Sequence, residues 1–184
     1  PHGVGIDAWG NDFALLDRDG SLVGNPWHYR DRRTRSSTAL VAARVGAGAI
    51  YRATGTPLLP ITTASQLVAM EGSPHLDAAQ RLVMLPDLFG YWLTGHLATE
   101  ETLASTSQLL DVTTRTWAVD VIDKLGIPRR LFDSEVVAAG TRSVNPSRSH
   151  AGRSRSRTQS AIAANVHAPP STAHTATARM LTSG

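Results

Sequence analysis

The chain has 184 residues, no cysteine, and 18 Lys and Arg residues against 15 Asp and Glu residues. This length is typical of one domain, and the lack of cysteine excludes a disulfide scaffold, a thiolate metal site and cysteine catalysis. No apolar run approaches the ~20 residues that a membrane-spanning helix needs. The sequence does not open with the basic region and apolar stretch of a signal peptide. We therefore expect a cytoplasmic protein without a membrane partner.

Charge divides the chain into two parts. All 15 acidic residues lie within residues 1–141, whereas residues 142–184 contain six arginines and neither acidic nor aromatic residues. The second part consists mainly of Ser, Thr, Ala, Arg and Pro, and it buries too little apolar surface to offset the conformational entropy of folding. We therefore predict a folded body over residues 1–141 and a disordered tail over residues 142–184.

The beginning of the body predicts strands. Residues 3–10 are typical of a buried strand that runs into a glycine-flanked loop, and residues 13–17 are typical of a second strand. Asp19 and Gly20 form a hairpin-turn signal, so residues 21–24 are predicted to be the returning strand.

The rest of the body predicts helices. These are residues 38–52, weakened by Gly46 and Gly48; residues 65–70, capped by Thr62 or Thr63; residues 77–83; a helix with Pro86 in its first turn that ends at Gly95; a helix that starts near residues 99–102; and residues 117–125, ended by Gly126. Strands followed by helices predict an α/β or α+β domain.

Two polar segments could carry chemistry. The loop at residues 8–12 contains Gly10, which lets a ligand approach the backbone, and Asp12, whose carboxylate could accept hydrogen bonds from hydroxyl groups. The same loop could be an ordinary connection between strands. In residues 29–33 an aromatic ring stands beside Arg and Asp, which suits stacking on a sugar ring but is also typical of an ion-paired surface.

Other catalytic patterns are absent from the sequence. The seven histidines are not spaced as metal ligands, so a zinc site is not predicted. The chain has neither a phosphate-binding loop of the Walker type nor a Gly-x-Ser-x-Gly nucleophile elbow. The residues alone therefore predict an α/β domain with one or two polar loops of functional interest.

Five blocks of sequence, in collinear order, resemble the rhamnulokinases of the FGGY family of carbohydrate kinases. The blocks are residues 5–17 with 19–20 and 28–34; 51–55 with 59–67; 85–95; 104–111; and 125–128 with 140–141. The resemblance implies an α/β fold of the actin/hexokinase type (ribonuclease H-like), of which this chain would form part of the N-terminal, sugar-binding domain. It also implies transfer of the γ-phosphoryl group of ATP to the 1-hydroxyl of L-rhamnulose, with Mg²⁺, in rhamnose catabolism.

The resemblance further implies a sugar site. Gly10 takes the position of the family's sugar-binding glycine, with Trp9 beside it, and Tyr29 stands where related kinases place an aromatic ring against the carbon chain of the substrate. Asp12, Arg30 and Asp31 would contact hydroxyl groups or order the loop. Three departures, Ala8 for Thr, Asn11 for Val and Thr62 for Asn, leave another FGGY sugar specificity as an alternative.

The family's catalytic base is an Asp in a Ser-His-Asp-Thr motif, and this chain has no Asp after Asp133. From the resemblance we also expect the ATP-binding second domain, the partner that the family requires, to be missing from these residues. We therefore expect this chain alone to be inactive and not to bind ATP and Mg²⁺ well, and we keep a non-catalytic sugar-binding module as an alternative. The tail is interpreted as an out-of-frame translation or as a basic tail for an anionic partner; six arginines without an aromatic residue argue against nucleic acid.

Overall fold

The computed structural model describes residues 4–142 and 179–182. The strands are β1 (Val4–Asp7), β2 (Phe13–Leu16), β3 (Arg81–Met84), β4 (Thr99–Glu100), β5 (Val136–Val137) and β6 (Arg179–Thr182). The helices are α1 (Ser37–Val45), α2 (Ala47–Thr54), α3 (Thr63–Val68), α4 (Pro74–Ala78), α5 (Leu85–Thr94), α6 (Glu101–Thr106) and α7 (Val119–Leu125). Two short 3-10 helices span Arg32–Thr34 and Arg129–Phe132.

An antiparallel ribbon of β2 and β3 separates two apolar clusters. Its register places Phe13 opposite Met84 and Leu16 opposite Arg81. Successive side chains of a strand point to opposite faces, and here Phe13 and Leu15 belong to the larger cluster whereas Ala14 and Leu16 belong to the smaller one. Both faces of the ribbon are therefore buried.

Helices cover the larger cluster on one side of the ribbon. Helix α1 packs against α3 and α7, and the 3-10 helix at Arg129–Phe132 packs against β3. The fully buried large side chains of this cluster are Ile50, Leu67, Leu82, Met84, Leu109, Ile122, Leu125 and Leu131. Helix α5 covers the other side through Leu85 and Leu88.

Several predicted helix ends are confirmed. The Thr62 hydroxyl accepts a hydrogen bond from the Ser65 backbone N–H at 3.3 Å and caps α3, as predicted. Pro86 lies in the first turn of α5, where its missing N–H has no helical acceptor to lose. Gly95 and Gly126 adopt left-handed backbone angles and end α5 and α7.

The predicted helix over residues 38–52 is two helices. Gly46 has φ of 87°, a conformation that the α-helix excludes, and it separates α1 from α2. The glycine that was predicted to weaken the helix therefore breaks it.

The predicted helix over residues 77–83 is wrong, because α4 ends at Ala78 and the chain continues in an extended conformation into β3. Burial explains the difference: Leu82 and Val83 are adjacent and both buried, each in a different cluster, which a strand with two covered faces allows. The Gln80 N–H donates to the Leu16 carbonyl at 2.7 Å and starts the pairing.

The predicted strand at residues 21–24 is reduced to a single bridge between Leu16 and Leu22, after the turn at Asp17–Ser21. Strand β2 pairs with β3 along its other edge, and the prediction of strand 13–17 itself is confirmed.

Strand β1 was expected to be buried, but only Ile6 is half-buried and its neighbours are exposed. Its partner is β6, in an antiparallel register with Val4 opposite Thr182 and Asp7 opposite Arg179. The structure thus differs from the prediction of a disordered tail at residues 179–182, because the open edge of β1 offers backbone pairing that needs no apolar face. Tail residues 143–178, 183 and 184 lie outside the described residues.

The carboxylate of Asp87 connects α5 to β4. Its Oδ2 atom accepts a hydrogen bond from the Glu100 N–H at 3.2 Å. The pKa of Asp87 is raised to about 7. Burial is the main cause, the Glu100 N–H opposes the rise, and the Glu100 charge adds to it. Folding therefore favours the protonated carboxyl group, and this contribution to stability is lost as the pH rises from about 3.8 to about 7.

We predict that Asp87→Asn removes this dependence, because the amide keeps an acceptor for the Glu100 N–H and carries no charge. The stability advantage of the original chain over Asp87→Asn should decline as the pH rises between 3.8 and about 7, as measured by urea unfolding in a pH series. Asp77→Asn, which changes an exposed carboxylate in the first turn of α4, is the matched control. An advantage that rises over the same interval would contradict the prediction.

Candidate functional site

The turn between β1 and β2 is held by side chains from two helices. Asn11 has φ of 74°, a left-handed conformation that asparagine tolerates better than most residues. Its N–H donates to the Thr106 hydroxyl at 3.1 Å, and its carbonyl accepts from the Thr63 hydroxyl at 3.0 Å and from the Gln66 amide at 2.9 Å. The turn is therefore fixed by backbone bonds to α3 and α6.

Gly10 lies against α6. A Cβ atom at this position would lie 3.1 Å from the Cγ2 and Oγ1 atoms of Thr106. Any larger residue would have to move the hydroxyl that holds Asn11. The glycine thus permits a close approach of the turn to α6, and it leaves the Gly10 backbone uncovered by a side chain of its own.

Asp12 joins this turn to the loop at residues 27–31. Its carbonyl accepts from the Leu85 N–H at 3.0 Å, at the end of the β2–β3 ribbon. Its side chain is 1% exposed, and Oδ1 accepts from the Tyr29 N–H at 2.8 Å. Within the described residues, Oδ2 has no hydrogen-bond partner.

Burial raises the pKa of Asp12, whereas the Tyr29 N–H bond and the charges of His28 and Arg33 lower it. A buried carboxylate oxygen without a partner is costly and is suited to receive a polar group. Asp12 therefore orders the Tyr29 loop with one oxygen and keeps the second oxygen uncommitted.

Aromatic rings lie beside the turn. The buried Tyr29 ring stacks on His28, with a centroid distance of 4.4 Å, and lies 6.1 Å from the ring of Trp9. The exposed Arg30 guanidinium lies 5.3 Å from the centre of the Tyr29 ring, which is within the range of a cation–π contact. Trp9 is 57% exposed, so the group presents an open indole face next to Gly10.

Asp31 and Arg33 contact each other in the segment that follows Tyr29. Asp31 Oδ1 accepts from the Arg33 N–H at 2.8 Å and caps the 3-10 helix. The Arg33 guanidinium lies 4.9 Å from the centre of the Trp27 ring and donates to Gln66 Oε1 at 2.9 Å. Burial lowers the pKa of Arg33, whereas Asp31 and Asp12 raise it.

The structure thus gathers Trp9, Gly10, Asp12, Tyr29 and Arg30 around one turn, and it places Asp31 in the supporting layer beneath. Sequence reasoning did not single out Gln66, Thr106 or Arg33 as site residues. Gln66 and Thr106 lie in two blocks of the resemblance, but their contacts with Asn11 are long-range and leave no local pattern. Arg33 lies in the charged segment at residues 29–33, and its contact with Gln66 is also long-range.

The described residues offer no metal site. Within residues 4–142 and 179–182, no three His, Asp or Glu side chains come together in a way that could hold a metal ion. The donor set for the Mg²⁺ that the family resemblance implies is therefore not found there, and no step through Mg²⁺ is assigned to these residues. In the same part of the chain, no helix has the length and apolarity to cross a membrane.

Comparison with known families shows which family the chain belongs to. The model of the N-terminal domain of the FGGY family of carbohydrate kinases matches residues 1–156. The chain belongs to the FGGY family. This match confirms the resemblance given by the five sequence blocks, and it extends past the predicted boundary at Thr141.

Curated relatives of this FGGY chain include rhamnulokinases. The rhamnulokinase of Pectobacterium atrosepticum is 46% identical over 138 residues, which are 74% of this chain and 28% of that protein. The rhamnulokinase of Yersinia pestis is 45% identical over 131 residues, which are 70% of this chain and 27% of that protein. The chain therefore spans little more than a quarter of the length of these relatives.

Solved sugar kinases share the fold. A gluconate kinase and a ligand-bound xylulose kinase, both from Lactobacillus acidophilus, match 71% of this chain and 27% of theirs, at 25% identity and a TM-score of 0.62. The expected fold class, α/β of the sugar-kinase N-terminal domain with the actin/hexokinase-type architecture, is confirmed.

We predict that Asp12→Ala lowers the free energy of unfolding by about 1–3 kcal/mol, because the buried Tyr29 N–H loses its acceptor. Asp12→Asn keeps an acceptor oxygen and should lose less. Urea unfolding of both variants measures the difference. Equal losses in both variants would show that the charge, and not the hydrogen bond, holds the loop.

Proposed function

We propose that this chain supplies the sugar-binding surface of a rhamnulokinase, an enzyme that phosphorylates L-rhamnulose. The observation that carries the proposal is the open indole face of Trp9 beside Gly10 and Tyr29. Sugars present an apolar C–H face and a set of hydroxyl groups, and sites with an aromatic wall and a few placed polar groups suit both. The two rhamnulokinase relatives support the choice of sugar.

Each site residue has a proposed role. Trp9 packs against the apolar face of the sugar, and the Gly10 backbone lets the sugar approach the turn closely. Asp12 holds Tyr29 in place through its N–H. Arg30, exposed above the Tyr29 ring, donates to a hydroxyl group at the open side, and Asp31 orders the loop through the Arg33 N–H.

The reaction proposed for the whole enzyme moves the γ-phosphoryl group of ATP to the 1-hydroxyl oxygen of L-rhamnulose. The bond to the ADP oxygen breaks, the new P–O bond forms, and the hydroxyl proton passes to a base. Mg²⁺ supplies neutralisation of the phosphate charge when bound. The residues described above bind and orient the sugar, and the base is proposed to lie outside these 184 residues.

A binding experiment tests the sugar site. Isothermal titration calorimetry of the full 184-residue chain with L-rhamnulose should give saturable heat, and Trp9→Ala should weaken binding at least about tenfold because the packing face is lost. Tyr51→Ala removes another aromatic ring, 56% exposed on α2, and is the matched control. Xylulose and gluconate are compared in parallel. No heat with rhamnulose at millimolar concentration would refute the proposed site, and tighter binding of another sugar would reassign the substrate.

A turnover experiment tests the assignment of the base. The 184-residue chain should form no L-rhamnulose 1-phosphate from ATP and L-rhamnulose with Mg²⁺, because the family's catalytic Asp is not among its residues. An ADP-coupled assay and mass spectrometry of the sugar provide the measurement. Formation of the sugar phosphate at a rate that scales with protein concentration would overturn this prediction.

A further inference from the structure

Gln66 is a fully buried amide whose side chain makes three hydrogen bonds. Its Nε2 group donates to the Asn11 carbonyl at 2.9 Å and to the Ile61 carbonyl at 3.1 Å, and its Oε1 atom accepts from Arg33 Nη2 at 2.9 Å. The orientation of the amide follows from its partners, because a carbonyl can only accept and a guanidinium can only donate. Gln66 is 0% exposed, so its bonds do not compete with solvent.

Arg33 connects Gln66 to the Tyr29 loop at residues 27–31. Its backbone N–H is held by Asp31, its guanidinium stacks over Trp27, and its Nη2 group is committed to Gln66. Two further groups of the same guanidinium, Nε and Nη1, are buried and have no hydrogen-bond partner within the described residues. Its position is therefore set by the loop on one side and by Gln66 on the other.

We infer that Gln66 and Arg33 are positioning residues that lock the Trp9–Asn11 turn and the Tyr29 loop into one arrangement. The relay runs from the loop through Arg33 to Gln66 and from Gln66 to the Asn11 carbonyl. Asn11 has a left-handed conformation, which asparagine tolerates better than most residues and which hydrogen bonds to its backbone stabilise here. The relay supplies such a contact, and it fixes the distance between the Trp9 and Tyr29 rings.

This relay acts beside a second connection through Asp12, which joins the same two segments by the Tyr29 N–H. The two connections differ in what they hold. Asp12 fixes the backbone of the loop, whereas Gln66 fixes the backbone of the turn next to Gly10. Loss of Gln66 should therefore loosen Asn11 more than Tyr29. The expected loss of sugar affinity rests on the proposed function, whereas the expected loss of order in the turn does not.

Amide hydrogen exchange of the full chain, followed residue by residue by NMR, tests the relay. The Asn11 N–H, bonded to Thr106, reports on the turn, and the Gln80 N–H, bonded to Leu16, reports on the β2–β3 ribbon. Gln66→Met should raise the exchange rate of Asn11 about tenfold relative to that of Gln80, since the hydrogen bonds to the Asn11 carbonyl and to Arg33 are lost. Gln66→Glu keeps the acceptor for Arg33, but it sets a carboxylate against the Asn11 carbonyl and should have the same effect.

Gln108→Met is the matched control. Gln108 is also a fully buried amide. It donates to the Thr56 and Pro57 carbonyls and accepts from the Thr62 hydroxyl at 3.2 Å, and none of these hydrogen bonds goes to the turn. Gln108→Met should raise the amide exchange rates of Gln80 and Asn11 by the same factor, as general destabilisation does. The same uniform pattern in Gln66→Met and Gln66→Glu would overturn the relay. Arg33→Met leaves Gln66 without its donor and serves as the second test if both Gln66 variants fail to fold.

Calorimetry with L-rhamnulose separates this inference from the proposed function. If the original chain binds the sugar and Gln66→Glu binds it at least about tenfold more weakly, with Gln108→Met unchanged, the relay positions the sugar site. If the original chain binds no sugar but Asn11 exchange rises selectively in Gln66→Met, the proposed function fails and the relay stands. If the sugar binds equally to the original chain and to Gln66→Glu, the positioning role is refuted.

Discussion

The burial of both faces of the β2–β3 ribbon is the constraint on which the rest of the structure depends. Neighbouring residues of β2 contribute to different apolar clusters, so a shift of register by one residue would exchange the two sets and misplace both. The same ribbon ends at the site, where the Leu85 N–H bonds to the Asp12 carbonyl at 3.0 Å. The packing of the core therefore sets the position of Asp12.

The candidate site is assembled from segments that are distant in sequence. The turn follows β1, the aromatic loop precedes α1, and the groups that hold the turn come from α3 and α6. The side chains that donate to the Asn11 carbonyl, Thr63 and Gln66, both lie on α3. These hydrogen bonds form only when α3 docks beside the ribbon, so the order of the candidate site follows from the docking of the helices and not from the turn alone.

Local signals were sufficient for the helix ends, because a cap involves residues three or four positions apart. Thr62, Gly95 and Gly126 were predicted for that reason. Strand β3 was missed since the apolar spacing of residues 77–83 fits a helix, and only pairing with β2 decides otherwise. In the site, local patterns pointed to Gly10 and to the aromatic residue of segment 29–33, and the family resemblance implied sugar-binding roles for them. The contact between Gln66 and Asn11 spans 55 positions and has no signature in sequence.

The exposure of Trp9 has a thermodynamic consequence. An indole that is 57% exposed places apolar surface in contact with solvent, and any ligand that covers this ring removes that surface from water. Removal of apolar surface from water lowers the heat capacity of the system, so the heat of association grows more favourable as the temperature rises. The slope of that heat with temperature reports the total apolar surface, Trp9 included, that binding removes from water, and it does so without a structure of the complex.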